Sequence, residues 1–202
     1  MDQVVFISYL GVILNNNLKW SNHVSSISGK ANKVLGLNKS NLWNCPKQVK
    51  ELFGQSSNAL ALPVWDPYLQ KDINSLERVQ RKAARFCTNG YHPTASVTDM
   101  TQELGWQALE QRRTFFRLTL LYKMINDLLD IDVDFYLSRH NESRTRGSHN
   151  FKYMQYRTTK KAYFYSYFSR TIGEWNALAA TIVEADSLAR FQFGLRDYPD
   201  SD

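Results

Sequence analysis

The residues of this sequence best suited to chemistry are four cations at helical spacing, Arg78, Arg81, Lys82 and Arg85. At about 100° per residue they fall on one side of a helix. The opposite side carries the apolar residues Ile73, Leu76, Val79, Ala83 and Phe86. A row of cations suits the phosphates of a nucleic acid. It is also typical of the solvated face of an ordinary amphipathic helix, so the spacing alone leaves both interpretations open.

Positive charge is concentrated in two segments of the 202-residue chain, whose formal net charge is +6. Residues 3–50 contain six lysines and no carboxylate, and residues 139–161 contain seven cations and one acid, Glu142. Lys30 and Lys33 of the first segment are candidate phosphate contacts. Such clustering favours a polyanionic partner, because neutralising phosphates releases their counterions.

Aromatic residues alternate with cations in the second basic segment. Tyr153, Tyr156 and Arg157 are candidates for stacking on bases or clamping a strand, since a base can stack on an aromatic ring while neighbouring cations hold the phosphates. The other interpretation is that these rings close over the hydrophobic core. The sequence does not decide between the two.

No catalytic or metal-binding residues are predicted, and we expect no cofactor and no small-molecule substrate. The acidic cluster contains Asp127, Asp130, Asp132 and Asp134. We interpret it as solvated or helix-capping, because magnesium usually takes only one or two protein carboxylates together with substrate phosphates. The two cysteines and four histidines show no zinc-type spacing and no disulfide framework.

The apolar run of residues 4–14 fits neither a signal peptide nor a membrane span, so we expect an intracellular protein without a membrane partner.

The hydrophobic periodicity predicts a mainly α-helical fold with a short N-terminal strand or hairpin element. Residues 4–14 predict one or two strands, followed by a helix capped at Ser21 or Asn22. Residues 38–40 fit a connection after this helix, and the alternative is that the helix runs on toward Trp43. The next helix is predicted to begin at residues 45–46. Asp66 is predicted to cap the basic helix or a short turn that leads into it, and the helix is predicted to stop at residues 89–90.

The second half of the chain predicts further helices around an irregular basic loop. A short helix is expected after Ser96, a long one over residues 106–129, one over residues 168–178, and a last short one capped at Asp186 or Ser187. Residues 138–161 lack helical periodicity and predict a long loop or a weak hairpin. Arg112, Arg113 and Arg117 stand at the positive end of the long helix, which is mildly unfavourable unless an acidic neighbour or a phosphate compensates them.

Four ordered blocks of the sequence resemble one known family. They are Tyr-Leu-Gly-Val at residues 9–12, Val-Trp-Asp-Pro at 64–67 with Leu-Glu-Arg-Val-Gln-Arg-Lys-Ala-Ala-Arg-Phe at 76–86, Arg-Thr-Arg-Gly at 144–147 with Tyr-Arg-Thr at 156–158, and the stretch 168–178 ending in Gly-Glu-Trp-Asn-Ala-Leu. Together they resemble the region after the polymerase core in non-LTR (LINE-type) retrotransposon reverse transcriptases.

The resemblance implies a fragment that lacks the catalytic palm. Residues 1–62 would be end-of-palm strands and thumb-like helices, and residues 63–202 the helical region downstream, with one continuous domain as the alternative. Residues 54–62 depart from the family pattern, lack its Arg and Glu, and fit either a loop or a relic damaged by frameshifts. The family activity is RNA-directed DNA polymerisation, which uses magnesium bound by an Asp-Asp motif that this sequence does not contain.

The expected function is therefore noncatalytic binding of RNA or an RNA/DNA duplex through basic surfaces. The alternative is an inert transposon relic or a helical protein-interaction module that does not bind nucleic acid.

Overall fold

A computed structural model describes residues 6–56, 65–92, 94–139 and 151–196. The described residues are mainly helical, with one small antiparallel hairpin near the N-terminus, as the sequence predicts. The elements in chain order are β1 (Phe6–Tyr9), β2 (Val12–Asn15), α1 (Ser21–Leu42), α2 (Lys47–Ser56), α3 (Gln70–Thr88), α4 (Val97–Glu103), α5 (Leu109–Ile125), α6 (Lys161–Phe164), α7 (Tyr167–Ala177), α8 (Ala180–Val183) and α9 (Leu188–Arg196).

Two compact units divide the chain between Arg113 and Thr114, within α5. The first unit includes α1, α2 and α3, because α3 packs on both α1 and α2. The domain boundary expected at residues 62–63 falls outside the described residues and stays a prediction.

The hairpin turns on two residues with positive φ, Leu10 at 47° and Gly11 at 82°. Two left-handed residues in succession give the turn whose twist matches antiparallel strands. The strands pair from Phe6 with Asn15 to Tyr9 with Val12.

The first helix follows the longer of the two predicted alternatives. α1 continues through residues 38–40 to Leu42, which packs with Leu35 against the core around Phe86. This burial offsets the helix-weakening effect of the glycine at position 36. The two side chains predicted to cap α1 have other partners. The Ser21 hydroxyl donates to Asp72 Oδ2 at 2.7 Å, and the Asn22 amide donates to Asn15 Oδ1 at 2.8 Å.

α3 is the central helix of the first unit, and α1, α2 and α4 all pack against it. It ends as predicted, with Asn89 in the left-handed conformation at φ 54° and its N–H bonded to the Arg85 carbonyl. Its start differs from the prediction, because Leu69 occupies the N-cap position. Asp66 instead accepts a hydrogen bond from Arg113.

α4 begins as predicted, with the Ser96 hydroxyl accepting from the Asp99 N–H at 3.3 Å. α5 is shorter than the predicted 106–129. Glu77 of α3 fixes its start, because the carboxylate accepts from the Glu110 N–H at 3.1 Å. Asp127 at φ 53° terminates its last turn.

The second unit is organised around Trp175 and Phe191, which are both buried. Ile172, Trp175 and Leu178 face its core, as the sequence predicts. The Tyr122 ring stacks on Phe191 with centroids 4.3 Å apart, and its hydroxyl donates to the Ala185 carbonyl at 2.7 Å.

The basic loop contributes one isolated antiparallel bridge between Arg139 and Tyr153, and residues 151–160 are otherwise irregular. The remainder of the loop, residues 140–150, lies outside the described residues. So do residues 57–64, which include residues 57–62 of the altered stretch 54–62, and the C-terminal residues 197–202.

Candidate nucleic-acid interface

The four α3 cations, Arg78, Arg81, Lys82 and Arg85, are all exposed on the outward side of the helix. Among the described residues none of them is paired with a carboxylate. They span about 10 Å of the helix axis at 1.5 Å per residue. One strand of a B-form duplex presents about three phosphates over that length. We refer to these four side chains as the basic face.

The opposite side of α3 fixes the direction in which the basic face points. Leu76, Ala83 and Phe86 are fully buried, and they leave α3 little freedom to rotate about its axis. The Gln80 amide also donates to the Gln107 carbonyl at 2.9 Å, which ties α3 to the segment before α5. The cations therefore project from a helix held on several sides.

Lys39 of α1 extends the basic face toward the C-terminal end of α3. Lys82 Nζ donates to Asn32 Oδ1 at 3.1 Å, which joins α3 to α1. Burial, and then the positive charge of Lys82, lower the pKa of Lys39. Because the charge of Lys82 disfavours the protonated form of Lys39, an anion bound beside the two would stabilise the charge of Lys39.

Lys71 extends the basic face in the other direction. It is exposed and stands seven residues before Arg78, which places it on the same side of α3. Lys71 is not among the contacts predicted from the sequence, although its seven-residue spacing from Arg78 identifies it.

Lys30 and Lys33 are exposed on α1 but are not brought together with the basic face. Ser28 and Leu35 mark the buried side of α1, and both lysines are more than about 120° of helical rotation from each of them. They stay predicted contacts on a separate surface of the same unit.

Tyr153 does not lie on the surface, since its side chain is only 2% exposed in the core of the second unit. Its backbone exchanges hydrogen bonds with the Asn176 side chain at 3.1 and 2.8 Å. Burial raises the pKa of its phenol. The prediction that Tyr153 stacks on a base is wrong, because its ring is buried and not accessible to a base.

Tyr156 and Arg157 are exposed on the irregular segment that follows Tyr153. The Tyr156 hydroxyl lies 2.9 Å from Ser138 Oγ, so it is held near the base of the loop. Both belong to the second unit and stay candidate contacts on their own surface.

The arginines of α5 are compensated by acids within their own units. Arg113 Nε donates to Asp66 Oδ1 at 2.9 Å, and Arg117 Nη2 donates to both Glu174 oxygens at 2.5 and 2.7 Å. Of the two expected compensating groups, the structure supplies the acidic neighbour for these two residues. Both are buried and serve packing rather than the interface.

The acidic cluster has a local structural role at Asp132, whose carboxylate accepts from the Asp134 N–H at 3.0 Å. Within the described ranges, no three His, Cys, Asp or Glu side chains are grouped as metal ligands. No helix in those ranges combines the length and apolar character needed to cross a bilayer.

Comparisons with protein-family models, with curated proteins and with solved structures give no match. The functional argument therefore depends on the residues and their geometry.

Proposed function

We propose that this chain is a noncatalytic nucleic-acid-binding protein that holds RNA or an RNA/DNA duplex against the basic face of α3. The observation that carries the proposal is the set of four exposed cations on one side of a firmly packed helix, without carboxylate partners among the described residues. Cations that serve only solubility are usually interspersed with acids on the same surface.

The contrast with the buried arginines supports this interpretation. Arg113 and Arg117 each have a carboxylate within hydrogen-bonding distance, so the fold does supply acids where a cation must be compensated. The only carboxylate in the 78–86 stretch or the turn before it, Glu77, is directed to the start of α5. The basic face is thereby left available to an external anion.

The resemblance to the thumb and downstream region of LINE-type reverse transcriptases supports the same conclusion independently of the geometry. The strongest block of that resemblance, residues 76–86, is the segment that forms the basic face. We propose that the chain retains the nucleic-acid grip of such a region without its polymerase activity.

Neutralising the basic face tests the proposal. The variant Arg78→Gln/Arg81→Gln/Arg85→Gln should weaken binding to an RNA hairpin at least about tenfold at low salt. Its log Kd against log salt slope should be smaller by about two to three, one for each lost phosphate contact. Fluorescence anisotropy across a salt series measures both quantities.

A matched control removes the same charge elsewhere. Lys19, Arg190 and Arg196 are exposed cations outside the candidate interface, and Lys19→Gln/Arg190→Gln/Arg196→Gln changes the net charge equally. This control should bind within about twofold of the wild type. Equal losses in both triple variants would show that only net charge matters, and an unchanged affinity in the first variant would remove the basic face from the interface.

A helical protein-interaction module is the second candidate, and the β-hairpin is the observation that favours it. Ile7, Tyr9 and Leu10 are exposed, Leu10 at 87%, which is unusual for large apolar side chains on a well-formed hairpin. A cooperatively folded protein with no affinity for nucleic acid at low salt would favour this candidate or an inert relic.

A further inference from the structure

Trp43 and Tyr91 form a stacked aromatic pair that remains half exposed. Their ring centroids lie 5.7 Å apart with planes at 29°, and the side chains are 54% and 45% exposed. Trp43 follows the last residue of α1, and Tyr91 follows the turn that ends α3. Aromatic side chains usually contribute most by burying their area, so a stacked pair left open to solvent offers ring surface to a ligand.

The aromatic pair adjoins the basic face. Lys39 Nζ lies 5.5 Å from the centroid of the Tyr91 ring, and Lys39 is close enough to Lys82 to feel its charge. The turn that carries Tyr91 is built on Arg85, whose carbonyl accepts the Gly90 N–H at 3.1 Å. The pair therefore lies where the C-terminal end of the basic face meets Lys39.

A buried lysine holds the two segments of the pair in place. Lys50 is only 1% exposed, and its Nζ donates to Asn89 Oδ1 at 2.7 Å. The same ammonium lies 5.8 Å from the Trp43 ring and 5.3 Å from the Phe86 ring. One cation thus links the end of α1 to the end of α3, which reduces the ordering cost of binding at the pair.

Close packing at Gly90 adds to this rigidity. A Cβ at this position would lie 2.1 Å from Met100 Cε of α4. The backbone between Asn89 and Tyr91 is therefore seated directly on the side chain of a neighbouring helix.

The charge around the pair favours an anionic ligand. Lys39 and Lys50 approach its rings, and the nearby acids Glu51 and Glu103 are both paired with Lys47. An unpaired nucleotide combines a flat base, which stacks on aromatic rings, with a phosphate, which binds lysine.

We propose that Trp43 and Tyr91 stack with an unpaired base of a nucleic-acid strand whose adjoining phosphates lie on Lys39, Lys82 and Arg85. The ligand class is a duplex that carries a single-stranded extension. This inference rests on the proposed function, because the basic face would hold the duplex part. Base stacking of this kind is tolerant of sequence, since every base has a π-face.

The test compares a blunt RNA hairpin, whose strands are joined by a non-nucleotide linker so that no loop base is unpaired, with the same hairpin extended by four unpaired nucleotides at the 5′ or the 3′ end. The wild type should bind one of the extended hairpins roughly 5- to 150-fold more tightly than the blunt one, the range for one stacked base. A 2-aminopurine base in that extension should lose fluorescence on binding. Trp43→Leu and Tyr91→Leu should each reduce the preference, and Tyr91→Phe should keep it.

Phe135→Leu is the matched control, because Phe135 is also an exposed aromatic residue but lies in the acidic segment. It should retain the full preference, and thermal melts confirm that each variant is folded. Equal binding of blunt and extended hairpins by the wild type overturns the inference while leaving the proposed function intact. A preference that survives in both leucine variants also overturns it. So does the finding that the aromatic pair binds an aromatic peptide and not RNA. Failure of the wild type to bind any hairpin overturns both proposals.

Discussion

Individual polar side chains in the first unit have structural partners, and this separates them from the three arginines of the basic face. Asp72 is buried and accepts from Ser21, and Lys50 donates to Asn89. Glu77 is partly buried, and burial raises its carboxyl pKa. The cost of burying each group is offset by a specific hydrogen bond or ring contact. Arg78, Arg81 and Arg85 are exposed and make no such buried contact, so their replacement should leave the stability of the fold unchanged.

His23 gives the first unit a pH dependence that can be measured. Its Nδ1 accepts from the Ile13 N–H at 3.2 Å, which ties the hairpin to α1, and its ring meets Trp65 at a centroid distance of 4.8 Å. Burial, and then the charge of Lys30, lower its pKa below the ordinary value of 6.5. As pH falls below that value, the unfolded chain binds a proton that the folded chain resists. The free energy of unfolding should therefore fall.

Thermal melts between about pH 7.5 and 5 test this effect. His23→Asn keeps an acceptor near the Nδ1 position but cannot titrate, so its melting temperature should depend less on pH than that of the wild type. His92→Asn, at an exposed histidine of the same unit, should behave like the wild type. Identical pH dependence in the wild type and His23→Asn would contradict the assignment.

The sequence predicts some of the site residues and misses others for identifiable reasons. The basic face follows from residues spaced three, four and seven apart within one helix. Trp43 and Tyr91 come together only because α1, α2 and α3 pack, so no local spacing reveals them. Tyr153 is placed wrongly by the sequence because an irregular segment has no periodicity to distinguish a buried ring from an exposed one.

At the scale of elements, α3 both organises the first unit and presents its candidate interface. Its apolar stripe and its left-handed stop are predictable, since one helix contains both signals. The sequence leaves the end of α1 open between two alternatives, and burial of Leu42 decides for the longer one. It overestimates the length of α5, which Glu77 and Asp127 delimit. These determinants depend on tertiary contacts or on a backbone conformation that an aspartate adopts only infrequently.

The two glycines inside α1 provide an element-scale prediction. Gly29 and Gly36 are exposed, have helical backbone, and would meet nothing within 4 Å if a Cβ were added. Gly29→Ala and Gly36→Ala should each stabilise the first unit by about 0.5–1 kcal/mol, because alanine loses less conformational freedom in a helix.

Chemical denaturation measures the change, and Gly11→Ala is the control of opposite sign. Gly11 has open space around it but a φ of 82°, so its replacement should destabilise the hairpin. A loss of stability in both α1 variants would contradict the assignment of one continuous helix from Ser21 to Leu42.

At the scale of the whole molecule, the first unit contains the basic face, its extension at Lys39 and the exposed aromatic pair. Lys39 of α1 adjoins the basic face, Lys30 and Lys33 lie on a separate surface of the same unit, and Lys47 of α2 is paired with acids. The second unit supplies Tyr156 and Arg157 on a surface of its own. We therefore expect the first unit to contribute most of the affinity for nucleic acid.

The most direct test of the central claim is the salt dependence of RNA binding by the unmodified protein. Fluorescence anisotropy with a labelled RNA hairpin, from about 50 to 200 mM salt, should give a log affinity against log salt slope of about −3 or steeper, corresponding to at least three or four neutralised phosphates. No binding at the lowest salt, by a protein that melts cooperatively, would contradict the proposed function.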